Sequence, residues 1–168
     1  MIKIALDVDD VLAAFTPHAH DFHEMPMCET LDYWCVPTMD ARLGQGWFME
    51  HIAPVHEFWR TIPRLSNPED IDFEVAYYIS AFPEDMHDIR LNWLREHGFP
   101  EAPLICCSDK LAKCIELGVD VLVDDKPATI EKLKGSPVKG IHFLPYYAGF
   151  APVGEHVITN LNQIKNHI

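Results

Sequence analysis

Three carboxylates, Asp7, Asp9 and Asp10, fall within four residues of one another where the apolar run Ile2, Ile4, Ala5 and Leu6 ends. Acids packed that closely repel one another and lose hydration, so at least one should be harder to ionise than usual unless a cation is near. A hard divalent metal relieves the conflict, because Mg²⁺ favours carboxylate oxygen and commonly holds a phosphate as well. A solvated polar turn would need no cation. This first segment alone does not choose between the two.

A second segment repeats the pattern. Val121, Leu122 and Val123 form a short apolar run that ends in Asp124-Asp125-Lys126-Pro127. In an open parallel sheet, ligands bind in the crevice outside the carboxyl ends of the strands. Two strands that each end in acids would deliver four or five carboxylates to one such crevice, which coincidence explains poorly.

The elements that must position these acids are legible as alternating strands and helices. Strands are expected at 75–80, 104–107, 121–123 and 140–144, besides the first. Helices are expected at 84–97, with Met86, Ile89, Trp93 and Leu94 inward, and at 110–117, stopped by Gly118. Two more are expected, one opened by Pro127 and running to about residue 134 and one at 160–167, capped by Thr159 or Asn160. That alternation predicts an α/β fold built on a parallel, Rossmann-like sheet with helices on both faces. Between the first strand and the rest, the strand pattern lapses over residues 15–70. Pro26, Pro37, Pro54, Pro63 and Pro68 break that stretch into short helices and turns, and it is rich in aromatic residues. The chain therefore divides into a core of residues 1–14 and 71–168 and a helical insertion at 15–70.

Asp7 to Val11 fits Asp-x-Asp-x-[Thr/Val], and Asp124-Asp125 fits a later acidic pair at a strand end. With Ser80 closing the second strand and Lys110 ahead of the acidic pair, the chain resembles the haloacid dehalogenase-like superfamily of phosphotransferases. The resemblance implies Asp7 as nucleophile, Asp9 as general acid and base, and Ser80 and Lys110 as phosphate-binding residues. It also implies Mg²⁺ held by Asp7, the Asp9 carbonyl and Asp124, with Asp125 as a further ligand or supporting partner. Asp10 reads as a turn residue. The insertion matches the C1 cap position of that superfamily, over the active site. Phe58-Trp59 ahead of the second strand, Val123 to Pro127, and Leu144-Pro145-Tyr146-Tyr147 are together similar to the 5′(3′)-deoxyribonucleotidases. That family consists of small Mg²⁺-dependent phosphatases of nucleoside monophosphates. Phe15, Trp34, Trp47, Phe58 and Trp59 are then the candidates for an aromatic substrate pocket, though aromatic residues in a small insertion also serve as its own core. Related bacterial and phage-type sequences carry Thr-Ala-Arg-Pro after the second strand. Ser80-Ala81-Phe82-Pro83 stands there in this chain, with Phe82 in place of the arginine.

Composition narrows the field. A formal net charge of −13 over 168 residues disfavours a nucleic-acid backbone as ligand, since such binding relies on Lys and Arg. The five cysteines are odd in number and form no CxxC pair, and no apolar run approaches a membrane span. Reduced thiols in a cytoplasmic enzyme are the expectation. His18, His20 and His23 lack the i, i+4 spacing of helical metal ligands and read as polar surface or cap residues. The expected partner is a small phosphate ester, foremost a nucleotide, with no membrane and with a homodimer compatible. The alternatives are a phosphatase of another small phosphoester or of a polynucleotide 3′-phosphate, and a non-catalytic domain that binds Mg²⁺ or a nucleotide.

Overall fold

Strand β1 (Ile4–Leu6) is buried at every residue, as an apolar run covered on both faces must be. The structure, a computed structural model, describes residues 2–22 and 44–168. After β1 the chain forms helices α1 (Phe15–Phe22), α2 (Trp47–His51) and α3 (His56–Arg60). It then alternates through β2 (Val75–Ser80), α4 (His87–Glu96), β3 (Leu104–Cys106), α5 (Lys110–Leu117), β4 (Val121–Asp124), α6 (Pro127–Leu133) and β5 (Lys139–Phe143). A short β6 (Val157–Ile158) and a 3₁₀ turn at Leu161–Asn166 close the described chain.

The six strands lie in the order β3-β2-β1-β4-β5-β6, and every pairing is parallel. This is the α/β parallel sheet with flanking helices that the alternation predicts. Side chains divide by the two-residue period of a strand. Ile4, Leu6, Val121 and Val123 face one apolar layer with Phe58, Trp59, Trp93 and Leu94. Ala5, Leu122 and Ile79 face a second with Cys114, Ile130 and Leu133. The insertion and α4 thus cover one face, and α5 and α6 the other.

Local signals act where the sequence places them. The Asp109 side chain accepts the Ala112 N–H at 3.2 Å to open α5, and Gly118 closes it at φ 63°, a left-handed conformation that glycine adopts without a Cβ penalty. The expected helix at 160–167 is a 3₁₀ turn instead, with Asn160 and Gln163 forming a capping box. So short a segment closes readily with i→i+3 bonds. Strand β6 escaped the sequence reading because two residues carry no period. Among the described residues, no helix is long and apolar enough to cross a membrane.

Residues 63–66, ahead of β2, bond back to residues 11–14, just after β1. The N–H groups of Leu65 and Ser66 donate to the Leu12 carbonyl at 2.7 and 3.2 Å, and Ala14 N–H donates to the Pro63 carbonyl at 2.8 Å. The Ser66 hydroxyl donates to the Val11 carbonyl at 2.6 Å. These bonds tie the exit of the insertion to its entry directly beside the β1 acids.

Candidate active site

β1 and β4 are neighbours, and from β1 the chain runs outward to β2 and β3 before returning to β4 on the other side. A strand order that reverses in this way opens a crevice at the carboxyl ends of the two strands. Asp7 follows β1 there, its N–H donating to the Val123 carbonyl at 2.9 Å, while Asp124 ends β4. Carboxylate oxygens of Asp7, Asp124 and Asp125, all buried, lie within 4.8 Å of one another. This trio is the one grouping of metal-ligating side chains among the described residues, and neither His18 nor His20 belongs to it. His23 lies outside the described residues.

Lys110 is the counter-ion of this cluster. Its Nζ lies 2.5 Å from Asp7 Oδ2 and 2.6 Å from Asp124 Oδ2. Asp124 Oδ1 also accepts the Lys126 N–H at 2.8 Å, so each of its oxygens has one donor. Asp125 differs: it lines the cavity, and among the described residues no lysine or arginine forms an ion pair with it. The Asp125 carbonyl accepts His142 Nε2–H at 2.9 Å, and His142 Nδ1 accepts the Val153 N–H at 3.0 Å. Those two bonds fix a neutral imidazole, and burial keeps its pKa below the usual range.

Asp9 points elsewhere. Its Oδ1 accepts a hydrogen bond from Nη2 of Arg90, a fully buried side chain on α4. Asp10 has φ 58°, a left-handed conformation that aspartate tolerates better than most side chains. Its carboxylate accepts Thr16 N–H at 2.8 Å and Thr16 Oγ–H at 2.6 Å, and also the Tyr147 hydroxyl. Asp10 therefore fastens the turn to α1.

The pKa shifts report crowded negative charge. Burial pushes the Asp7 carboxyl up to about 6 against the pull of Lys110, with Asp124 adding to the rise. Burial also raises Asp10 to about 6 and lifts Asp9, opposed there by Arg90 and by a hydrogen bond from Ser80. Asp125 is displaced well upward, by burial first and then by Asp7 and Asp10. For Lys110 burial works downward, but Asp124 and Asp7 overcome it and raise the pKa above the ordinary lysine range. An all-oxygen, buried donor set short of positive charge fits Mg²⁺ better than a softer metal.

A pH test follows. A carboxyl that titrates near 6 holds its proton at pH 5 and must lose it to bind metal, so Mg²⁺ should raise the melting temperature more at pH 7.5 than at pH 5. At about 100 times the Kd the stabilisation would be about 2.7 kcal/mol, or several degrees. Melts with and without Mg²⁺ at both pH values check this, and a larger shift at pH 5 would contradict the acidic site.

Above the acids lies a cavity of about 300 Å³. Asp7, Asp9, Ser80, Lys110 and Asp125 line its floor, while Phe15, Phe48, Met49, Trp59 and Phe82 line its walls. Two of the sequence candidates for the pocket, Phe15 and Trp59, do border the cavity. Phe58 does not: it is fully buried and packs edge-on against Trp59 with centroids 5.1 Å apart. Trp47 packs on the core outside the cavity lining, and Trp34 lies outside the described residues. Phe48, Met49 and Arg90 are not among the site residues expected from the sequence, and Tyr147 enters there only as part of Leu144-Pro145-Tyr146-Tyr147. Arg90 had a signal, since it lies at i+4 from Met86 and i−3 from Trp93 on the inward face, a place the sequence reading gave to Ile89.

No family model matches the chain, and no curated protein matches it. Solved structures do. An L-2-haloacid dehalogenase is similar with a TM-score of 0.57 at 14% identity, over 99% of each chain. A haloacid dehalogenase-like protein of unknown function from Agrobacterium tumefaciens is similar with a TM-score of 0.52 at 15% identity, over 98% of this chain and 96% of that one. At such identities the likeness concerns the fold, which is haloacid dehalogenase-like.

Proposed function

We propose that the chain is a Mg²⁺-dependent phosphatase of small phosphate esters, foremost nucleoside monophosphates, working through an aspartyl-phosphate. The observation that carries this reading is one cavity with a floor of carboxylates, Lys110 and Ser80 and a largely aromatic wall. Asp7 attacks phosphorus, and the bond from phosphorus to the ester oxygen breaks as the acyl phosphate forms. Asp9 gives its proton to the departing alkoxide, then takes one from the water that attacks the acyl phosphate, which frees Asp7 and releases inorganic phosphate. Ser80 donates to a phosphoryl oxygen, and Lys110 exchanges part of its hold on Asp7 and Asp124 for another.

Asp7 and Asp125 would be the principal side-chain ligands of Mg²⁺, with the Asp9 carbonyl beside them. The sequence reading placed Asp124 ahead of Asp125. Between these two the reverse order is favoured, because Lys110 already neutralises Asp124 whereas no lysine or arginine among the described residues pairs with Asp125. Bound Mg²⁺ supplies charge neutralisation between the nucleophile and the phosphate, a Lewis-acid role.

Two features support phosphoryl transfer over displacement of a halide. A halide leaves without a proton, so that chemistry has no need of Asp9 as an acid. Nor does it need a buried trio of carboxylates, which suits a cation that in turn suits a phosphate. An idle domain that binds Mg²⁺ would keep Asp7 as a ligand but would have no need of the Asp9 carboxyl.

A substrate panel tests the reading. Aromatic contact with a base is worth about 1–3 kcal/mol, so nucleoside monophosphates should exceed ribose 5-phosphate by roughly five- to 150-fold in kcat/KM. Equal rates would move the substrate to another small phosphoester. The wild-type panel is cleaner than Trp59→Ala, because Trp59 is only 1% exposed and donates its indole N–H to the Ala53 carbonyl. Truncating so buried a ring costs about 3–5 kcal/mol, whatever the substrate.

A further inference from the structure

We infer that Arg90 is a positioning residue that holds Asp9 in the orientation needed to protonate the leaving group, an inference that rests on the phosphatase reading above. Arg90 is fully buried, and its Nη2 donates to Asp9 Oδ1. Its guanidinium carbon lies 5.4 Å from the ring centroids of both Trp59 and Trp93. Trp59 comes from the insertion and Trp93 from the next turn of α4. Each ring is itself fixed, since the Trp59 indole N–H donates to the Ala53 carbonyl at 2.9 Å and that of Trp93 to the Ile62 carbonyl at 2.8 Å. The guanidinium thus has little freedom, and it hands that rigidity to the Asp9 carboxylate.

Stability alone explains Arg90 poorly. Its Nε and Nη1 are buried and have no hydrogen-bond partner among the described residues, so their desolvation is uncompensated. An apolar side chain of similar volume between tryptophans often serves a fold as well as a buried ion pair or better. Nor is Arg90 placed to hold phosphate, because it does not border the cavity, whereas Asp9 does. The Asp9 side chain is 14% exposed and that of Arg90 is 0%. Arg90 therefore acts on the substrate through Asp9. One oxygen of Asp9 is anchored to the guanidinium; Ser80 also hydrogen-bonds the carboxylate, and once Ser80 turns to the phosphate the carboxylate faces the ester oxygen. The insertion joins in this arrangement, since Trp59 both lines the cavity and contacts Arg90.

The test compares leaving groups in the first turnover, before the acyl phosphate is hydrolysed. With Mg²⁺ present, rapid quench would follow p-nitrophenol release from p-nitrophenyl phosphate and nucleoside release from a nucleoside monophosphate. The aryloxide needs little protonation, whereas the alkoxide needs a proton in place. Misplacing a catalytic group by an ångström costs about 10²-fold. Arg90→Met should slow nucleoside release by about that factor and p-nitrophenol release far less. Arg90→Lys keeps the charge without the planar fork and should recover part of the nucleoside rate. It also provides the same leaving-group comparison should the methionine variant not fold, which thermal melts will show. Equal slowing of both substrates, or no slowing of either, overturns the role of Arg90 while leaving the phosphatase reading in place. A wild-type chain that releases neither leaving group overturns the phosphatase reading, and the role of Arg90 with it.

Discussion

Asp7→Asn should fold and yet turn over no phosphate ester. An amide cannot form the acyl phosphate, and loss of a nucleophile commonly costs on the order of 10⁴-fold or more. Measured phosphate release above a few per cent of wild type, from protein with a native melt, would assign the nucleophile elsewhere. The same variant should not lose stability. The folded pKa of Asp7, raised to about 6 from an ordinary value of 3.8, means that the folded state binds the proton more tightly than the unfolded chain does. The contribution of Asp7 to stability therefore falls as pH rises from about 4 to about 6, and above that range its ionised form works against folding. Asparagine carries no such charge, and Lys110 keeps Asp124 as its partner. Without Mg²⁺ at pH 7.5, Asp7→Asn should melt at or above the wild-type temperature. A marked fall would show that the ion pair with Lys110 outweighs the burial of charge.

Chelation should abolish activity and Mg²⁺ restore it, while Zn²⁺ should serve poorly at a site made of oxygen alone. The two adjacent acids should separate cleanly in this assay. Asp125→Ala removes the carboxylate that has no lysine or arginine partner among the described residues, and should raise the Mg²⁺ concentration for half-maximal rate by about 10- to 100-fold, a cost typical of impaired metal binding. Asp124→Ala leaves Lys110 with Asp7 alone and the Lys126 N–H without an acceptor, so its main effect should be on stability. Full activity in chelator would remove the metal from the mechanism. A larger Mg²⁺ effect from Asp124→Ala would restore the order read from the sequence.

The parts of this molecule that could be read from the sequence are those governed by neighbours in the chain. A run such as Val121-Leu122-Val123 ending in two aspartates announces both a buried strand and its polar tip, because the apolar run and the acids are contiguous. Helix α5 matches its expected bounds because Asp109 opens it and Gly118 closes it, both local signals. The site was less legible where it depends on long-range placement. The helical period places Arg90 on the inward face of α4, but nothing near either residue in the chain announces that it meets Asp9. Phe48 and Met49 reach the cavity only because of how α2 is turned, which a five-residue helix does not encode in its own period. Phe82 shows the opposite limit. It stands where the resemblance read from the sequence would put an arginine, and it lines the cavity, while Arg90, farther along, supplies a guanidinium to Asp9.

The strand order has a consequence for biogenesis. The first strand of this sheet in chain order is central in the finished sheet, and its neighbours begin at residues 75 and 121. At about 5–20 residues per second, the nascent apolar strand waits on the order of ten seconds for its second partner. During that wait its edges are open to wrong pairing, and pairings so distant in sequence form slowly. The acids at its tip meet Asp124 and Asp125 only when β4 docks, so the molecule assembles its most crowded charges late. Substitutions in β4 that leave every cavity residue untouched should therefore show themselves first as poor yield and aggregation during synthesis, ahead of any change in the rate of the protein that survives.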